Sequence, residues 1–262
     1  MTRLAIIVVM LTSLAAAVPA RAGTACHAMS EAQTRPLVEL YTSEGCDSCP
    51  PADRWFSSRF DAADERPHAL ALAFHVDYWD RLGWVDRFAN AAYTERQYEA
   101  MRANGASFVY TPQVLIQGHE LAGWRDGAAA AIDAASRTPA RATIALEATP
   151  AAHEVVVRAD ARVLDPSRMR DAQLFVAYAD SGLASDVKAG ENRGVRLAHD
   201  HVVRALQRVG PPAADGRWRA SVTLPKPAEA GKHPMVVAFV QRVASGDVLQ
   251  SVALPLDGCA SH

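Results

Sequence analysis

The stretch TSEGCDSCPPAD, residues 42–53, limits what this chain can fold into more than any other. It follows LVELYT (37–42), which reads as a strand, and leads into the segment from Pro51 to Phe60, where Ala52, Trp55, Phe56, Arg59 and Phe60 share one helical face. Pro50 and Pro51 suit a helix's first turn, because amide protons there have no intrahelical partner. The chain is therefore expected to run strand, loop, helix, with Cys46 in the loop and Cys49 in the first turn. Unpaired backbone N–H groups and the positive end of the helix dipole converge on that loop and stabilise a thiolate. Cys46, placed before the helix, is expected to be the more exposed thiol and the first to react.

How those thiols behave depends on the compartment. Arg3, the apolar run from Leu4 to Leu11 and the small residues ending in Ala20-Arg21-Ala22 have the layout of a secretory signal peptide over residues 1–22. The run is short for a bilayer, and nothing after it approaches the roughly 20 apolar residues of a membrane-spanning helix. The expected product is an exported protein, periplasmic or secreted, of 262 − 22 = 240 residues; Arg3 and Arg21 leave with the signal, so its charge is 25 − 29 = −4. No basic patch with interleaved aromatics suggests a nucleic-acid partner. Four cysteines in an oxidising compartment can form two disulfides.

Organisation changes near SRTPARA (136–142). Before it, strand-like and helix-like segments alternate: a strand at 68–76, a helix from Thr94 to Arg102 capped by Thr94, two strands within 113–124 around a Gly118-His119 turn, and an Ala-rich helix capped by Asp126. After it come strand patterns at 142–148, 153–163, 172–179, 216–224, 234–243 and 248–254, the signature of an antiparallel sandwich or barrel. Two domains are expected, 23–139 and 140–262.

The Cys46/Cys49 spacing admits several chemistries. A redox pair needs one cysteine to attack or be attacked and a neighbour to resolve the mixed disulfide. A permanent structural disulfide fits the same spacing, and so does a dithiol that takes a soft metal such as copper. A zinc site from Cys26, Cys46, Cys49 and Cys259 has ligand spacing in only one half. Pro50 excludes haem attachment, which needs His there. Cys26 and Cys259 form the second disulfide by elimination, the alternative being two free thiols in the tails.

The wider pattern resembles the thioredoxin superfamily: a strand, C-x-x-C at a helix start, and a later strand entered through Thr111-Pro112, in a stretch VYTPQVLIQGHELAGW similar to that superfamily's cis-proline hairpin. VELYTSEGCDSCPPAD, FHVDYWDRLGW, TPQV and GENRGVRLAHDHVVRAL together resemble the secreted thioredoxin-like family catalogued as domain of unknown function 1223. The resemblance implies an α/β thioredoxin-like domain followed by an all-β, sandwich-like C-terminal domain, without a settled activity. It also implies that Cys46 and Cys49 are the redox pair and Pro112 the cis-proline beside it. Two positions depart from the superfamily. Leu40 stands where thioredoxins bury an acid, with Glu39 one residue earlier, and strand alternation turns such a neighbour to the other face. Asp47 between the cysteines opposes the helix dipole, which argues against a strong oxidant.

Beyond the pair, HVDYWDRLGW gathers His75, Tyr78, Trp79 and Trp84. Such aromatics more often pack than bind; the sharper reading makes Tyr78 and Trp79, with Thr111, a substrate groove, and His75 a proton donor rather than a core hydrogen-bonding group. In GENRGVRLAHDHVV, a turn held by Asn192 and Gly194 is the plainer reading; His199 and His201 on one strand face would be the metal-binding one. Two functions stand: an exported thiol–disulfide oxidoreductase acting on protein thiols or disulfides with a redox partner, its chemistry needing no cofactor or metal, and a non-catalytic protein that binds a partner or copper and keeps a structural C-x-x-C disulfide.

Overall fold

The computed structural model describes residues 25–61 and 68–259; the signal peptide expected at 1–22 lies outside the described residues. In the first half the elements are β1 (Cys26–Met29), β2 (Leu37–Thr42), α1 (Pro50–Arg59), β3 (Leu70–His75), α2 (Ala91–Ala103), β4 (Gln113–Ile116), β5 (His119–Glu120) and α3 (Trp124–Ser136). The second half supplies β6 (Ala142–Pro150), β7 (Glu154–Val163), β8 (Ala172–Ser181), β9 (Leu183–Asp186), β10 (Arg196–His199), β11 (Val202–Arg208), β12 (Arg217–Pro225), β13 (Lys232–Arg242) and β14 (Val248–Pro255).

These strands correct the expected fold class, an α/β thioredoxin-like domain followed by an all-β sandwich-like domain. Strand is the predominant regular structure among the described residues, which hold three α-helices. Strands from both halves form one eight-stranded sheet in the order β14-β13-β8-β11-β3-β2-β4-β5. The link is β11, which pairs antiparallel with β8 and parallel with β3 through Val202 and Ala73. Its sequence hides it: Val202, Val203, Leu206 and Val209 follow a helical spacing, because a bulge between Val203 and Ala205 breaks the strand alternation. The smaller sheets are β1-β6-β7-β12 and the pair β10-β9.

The long sheet curls until its end hairpins touch. Gln117 and Gly118 both have positive φ, 54° and 83°, placing the β4–β5 turn one residue earlier than expected. A Cβ on Gly118 would sit 1.8 Å from the Gly246 carbonyl oxygen in the β13–β14 turn, so no other residue fits this contact.

Strand alternation divides the core. Leu37, Tyr41, Leu72 and Phe74 face the cluster that contains Tyr93 of α2 together with Phe175 and Phe239. Val38, Leu40, Ala71 and Ala73 face the other way, where α1 and α3 pack through Phe56, Trp124 and Ile132. The alanines of β3 let those helices approach closely. A third cluster lies between the four-stranded sheet and the remaining faces of β8, β13 and β14. Helix α2 begins three residues before Thr94, with Asn90 as its cap accepting from the Ala92 amide at 2.9 Å. Thr94 instead donates its hydroxyl to Asp77 at 2.5 Å.

Candidate functional site

The loop after β2 turns through buried Ser43, Glu44 and Gly45 to Cys46, and Cys49 occupies the position that caps α1, followed by both prolines. Cys46 and Cys49 form a disulfide with their Cα atoms 5.4 Å apart. The Cys49 carbonyl accepts from the Ala52 and Asp53 amides, at 2.8 and 3.1 Å. Both cysteines have 0 % exposure, whereas Asp47 and Ser48 between them are exposed. The expectation of an exposed Cys46 is therefore corrected: preceding the helix does not open a residue that other loops cover. The Ser48 hydroxyl lies 3.3 Å from the Cys46 sulfur.

The Thr111–Pro112 bond is cis and leads into β4. Trp79 ties it to the disulfide loop. Its indole N–H donates to the Thr111 hydroxyl at 2.8 Å, and a Cβ on Gly45 would come within 2.9 Å of the Trp79 Cβ. Tyr78, half-buried, sits beside Trp79 with ring centroids 6.3 Å apart. Cys26 and Cys259 form the second disulfide, which joins β1 to the turn after β14. With all four cysteines paired, the four-thiolate zinc arrangement is not formed.

Behind the disulfide the structure buries five ionisable side chains, Glu44, Asp53, His75, Asp86 and His199. Asp86 accepts from His75 Nδ1 at 2.7 Å and from the Glu44 and Phe88 amides at 2.9 Å each. Burial alone would raise its pKa, but the His75 charge and these hydrogen bonds outweigh that and hold the carboxyl below its usual range. His75 is affected in the opposite sense: burial disfavours its charged form, yet Asp86, helped by Asp53 and Glu44, raises its pKa above the ordinary imidazole value. Asp53, one helical turn beyond Cys49, has its pKa raised by burial against the pull of His199 and His75. Glu44 accepts from the Trp84 indole at 2.7 Å through Oε2, while its Oε1 lies 3.2 Å from His199 Nε2 without hydrogen-bond alignment. His75 and His199 meet edge to face, centroids 4.9 Å apart. Leu40, Asp53, Phe56 and the two imidazoles line a crevice too tight for a water molecule.

His201 does not join this group. It has φ 57°, which breaks the strand between β10 and β11, and its Nε2 lies 2.6 Å from the Phe60 carbonyl oxygen. The shared strand face required for a His199/His201 metal pair is thus absent. Among the described residues, no three His, Cys, Asp or Glu side chains are arranged to hold a metal ion. Glu39 points away from the disulfide, as strand alternation requires, and binds Arg96 at 2.8 Å. Asn192, by contrast, reaches the site: its side-chain amide donates to the carbonyls of Glu44 and Cys46.

The model of the family described as protein of unknown function (DUF1223) matches residues 37–241. This chain belongs to that family. The match runs from β2 into β13 and so takes in the β11–β3 pairing that joins the halves. Among solved structures, the chain is similar to the crystal structure of protein AGR_C_4864 from Agrobacterium tumefaciens, with 29 % identity, a TM-score of 0.57, and coverage of 86 % of this chain and 96 % of that one. It also shares its fold with HBP35 of Porphyromonas gingivalis at a TM-score of 0.60, with 14 % identity and coverage of 88 % and 78 %. No curated protein matches the sequence.

Within this DUF1223 chain, sequence reasoning missed three members of the buried cluster. Asp53 is four residues after Cys49 and Glu44 two before Cys46, but an acid next to a C-x-x-C normally reads as solvated. Asp86 carries no local signal, because it enters the site through a loop returning from β3. The family block GENRGVRLAHDH did carry one, since Asn192 and His199 both come from it.

Proposed function

We propose that this protein is an exported thiol–disulfide oxidoreductase in which Cys46 and Cys49 are the redox pair and Pro112 lies beside them. The observation that carries this reading is the Cys46–Cys49 disulfide at the α1 N-terminus, joined through Trp79 to the cis-Pro112 turn. This local unit supports a kinship with the thioredoxin superfamily at the level of the site. In one direction of exchange, a partner's thiolate attacks one sulfur of the pair and expels the other cysteine as a thiolate, giving a mixed disulfide. The partner's second thiolate then attacks that mixed disulfide; the partner leaves oxidised and the pair holds two electrons. Protein thiols or disulfides are the proposed substrates, and the periplasm or exterior the proposed location. Two disulfides fit an oxidising compartment, and no helix among the described residues is long and apolar enough to cross a membrane.

One observation favours a second reading. Complete burial of both sulfurs suits a structural disulfide in a protein that binds a partner or copper. Turnover separates the two. Catalysed reduction of a disulfide-bonded protein by dithiothreitol, abolished by Cys46→Ser and by Cys49→Ser, is the expected result. No turnover above the uncatalysed rate would sink the oxidoreductase reading.

A further inference from the structure

The turn at 190–194 belongs to the second half of the chain but lies on the disulfide loop. Asn192 is 6 % exposed, and its Nδ2 donates to the Glu44 carbonyl at 2.9 Å and the Cys46 carbonyl at 2.8 Å, the two carbonyls that flank Gly45. Beside it, Glu191 accepts from the Asp47 amide at 3.2 Å. Gly190, with φ 71°, packs so tightly that a Cβ there would sit 3.3 Å from the Trp84 Cβ. Glu191 and Asn192 thus hold the backbone on both sides of Cys46, with Gly190 seated against Trp84, at the place where both cysteines lose all exposure while Asp47 and Ser48 remain in water.

We propose that the 190–194 turn gates the Cys46–Cys49 disulfide and that Asn192 is its latch, a positioning residue that keeps the sulfurs out of reach until the turn is displaced. The inference rests on the thiol–disulfide reading above and adds a control to it. Glu191 and Asn192 differ in what they hold. Glu191 is exposed and makes one contact, so its loss loosens the turn. Asn192 is buried and makes two, and without it two carbonyls lose their donor. The gated step is attack by an external thiolate on one sulfur. A bond forms to the attacking sulfur, the Cys46–Cys49 bond breaks, and its electron pair leaves on the other cysteine. With dithiothreitol the reagent's second thiolate then closes it to the cyclic disulfide, and both cysteines end as thiols.

The chain carries its own control in the Cys26–Cys259 disulfide, which joins β1 to the turn after β14. In the full-length protein, dithiothreitol is added and each pair is followed by timed alkylation and mass mapping. Asn192→Ala is expected to speed reduction of Cys46–Cys49 about ten- to hundredfold, the weight of two ordinary hydrogen bonds. Glu191→Ala, at an exposed position, is expected to speed it several-fold. Neither should change the rate at Cys26–Cys259. Rates at Cys46–Cys49 within about twofold of wild type, or rates that rise equally at both disulfides, would overturn the gate. Should Asn192→Ala not fold, Glu191→Ala decides alone. Failure of the gate leaves the turnover result untouched, and absence of turnover in a protein whose variants open on this schedule removes the enzyme while leaving the gate.

Discussion

His75 Nδ1 and Asp86 Oδ2 lie 2.7 Å apart with both side chains wholly buried, and the same Asp86 oxygen accepts from the Glu44 amide two residues before Cys46. The His75–Asp86 pair therefore anchors the loop that carries the disulfide. Because Asp86 raises the His75 pKa despite burial, the folded protein holds that proton more tightly than the unfolded chain does. The stability this contributes is complete below the ordinary imidazole value, about 6.5, and is lost as pH rises through the higher folded value. Asp86 behaves in the opposite sense: its contribution is present above the ordinary carboxyl value and lost as pH falls through its depressed one. Urea midpoints should consequently fall as pH rises above the ordinary imidazole value of about 6.5 in the wild type, and fall less in Asp86→Asn. Equal slopes for the two proteins would contradict the assignment.

Arg96 joins the halves. It pairs with Glu39 on β2, donates to Gln241 on β13 at 3.0 Å, and lies 4.9 Å from the Phe175 and Phe239 ring centroids. Arg96→Met leaves Glu39 buried with only the Tyr41 hydroxyl as donor and no cation beside it, and is expected to cost about 3 to 5 kcal/mol. Adding Glu39→Gln should recover part of that loss. An unchanged chemical-denaturation midpoint in the single variant would show that the pair does not hold the halves together.

The terminal disulfide closes a loop of sequence separation 233. Replacing Cys26 and Cys259 together by Ser is expected to lower stability by about 5 kcal/mol. Calorimetry measures this, and a melting temperature equal to that of the wild type would contradict it.

The sequence made the site's covalent and backbone parts legible, because they are local. Two prolines after Cys49 mark the helix start, and period-2 alternation sends Glu39 away from the disulfide toward Arg96. Six of the second-half strands were legible for the same reason. The sheet that fuses the halves was not, because β11 carries a bulge that imitates a helical spacing and its pairing with β3 joins Val202 to a residue more than a hundred positions earlier. The hold on the disulfide loop was hidden likewise: Asn192 reads as an ordinary turn residue until the fold brings its amide to the Glu44 and Cys46 carbonyls.

Asp47 is exposed, and its charge opposes the helix N-terminus at a Cys46 thiolate. Asp47→Asn should make the pair more oxidising by about 10 to 20 mV, the scale of one solvent-screened charge. A shift toward more reducing values would show that the charge acts otherwise.

The reduction potential of Cys46–Cys49 tests the oxidoreductase reading most directly. Wild-type protein is equilibrated in dithiothreitol and glutathione redox buffers and the pair quantified by alkylation. With a helix N-terminus favouring the thiolate, Asp47 opposing it, and no Lys, Arg or His between Thr42 and Asp53, the account predicts a value near the thioredoxin end, about −270 mV. A value near the oxidant end, about −120 mV, would refute that poise, and one well below about −300 mV would mark an inert structural disulfide and contradict the function proposed for this chain.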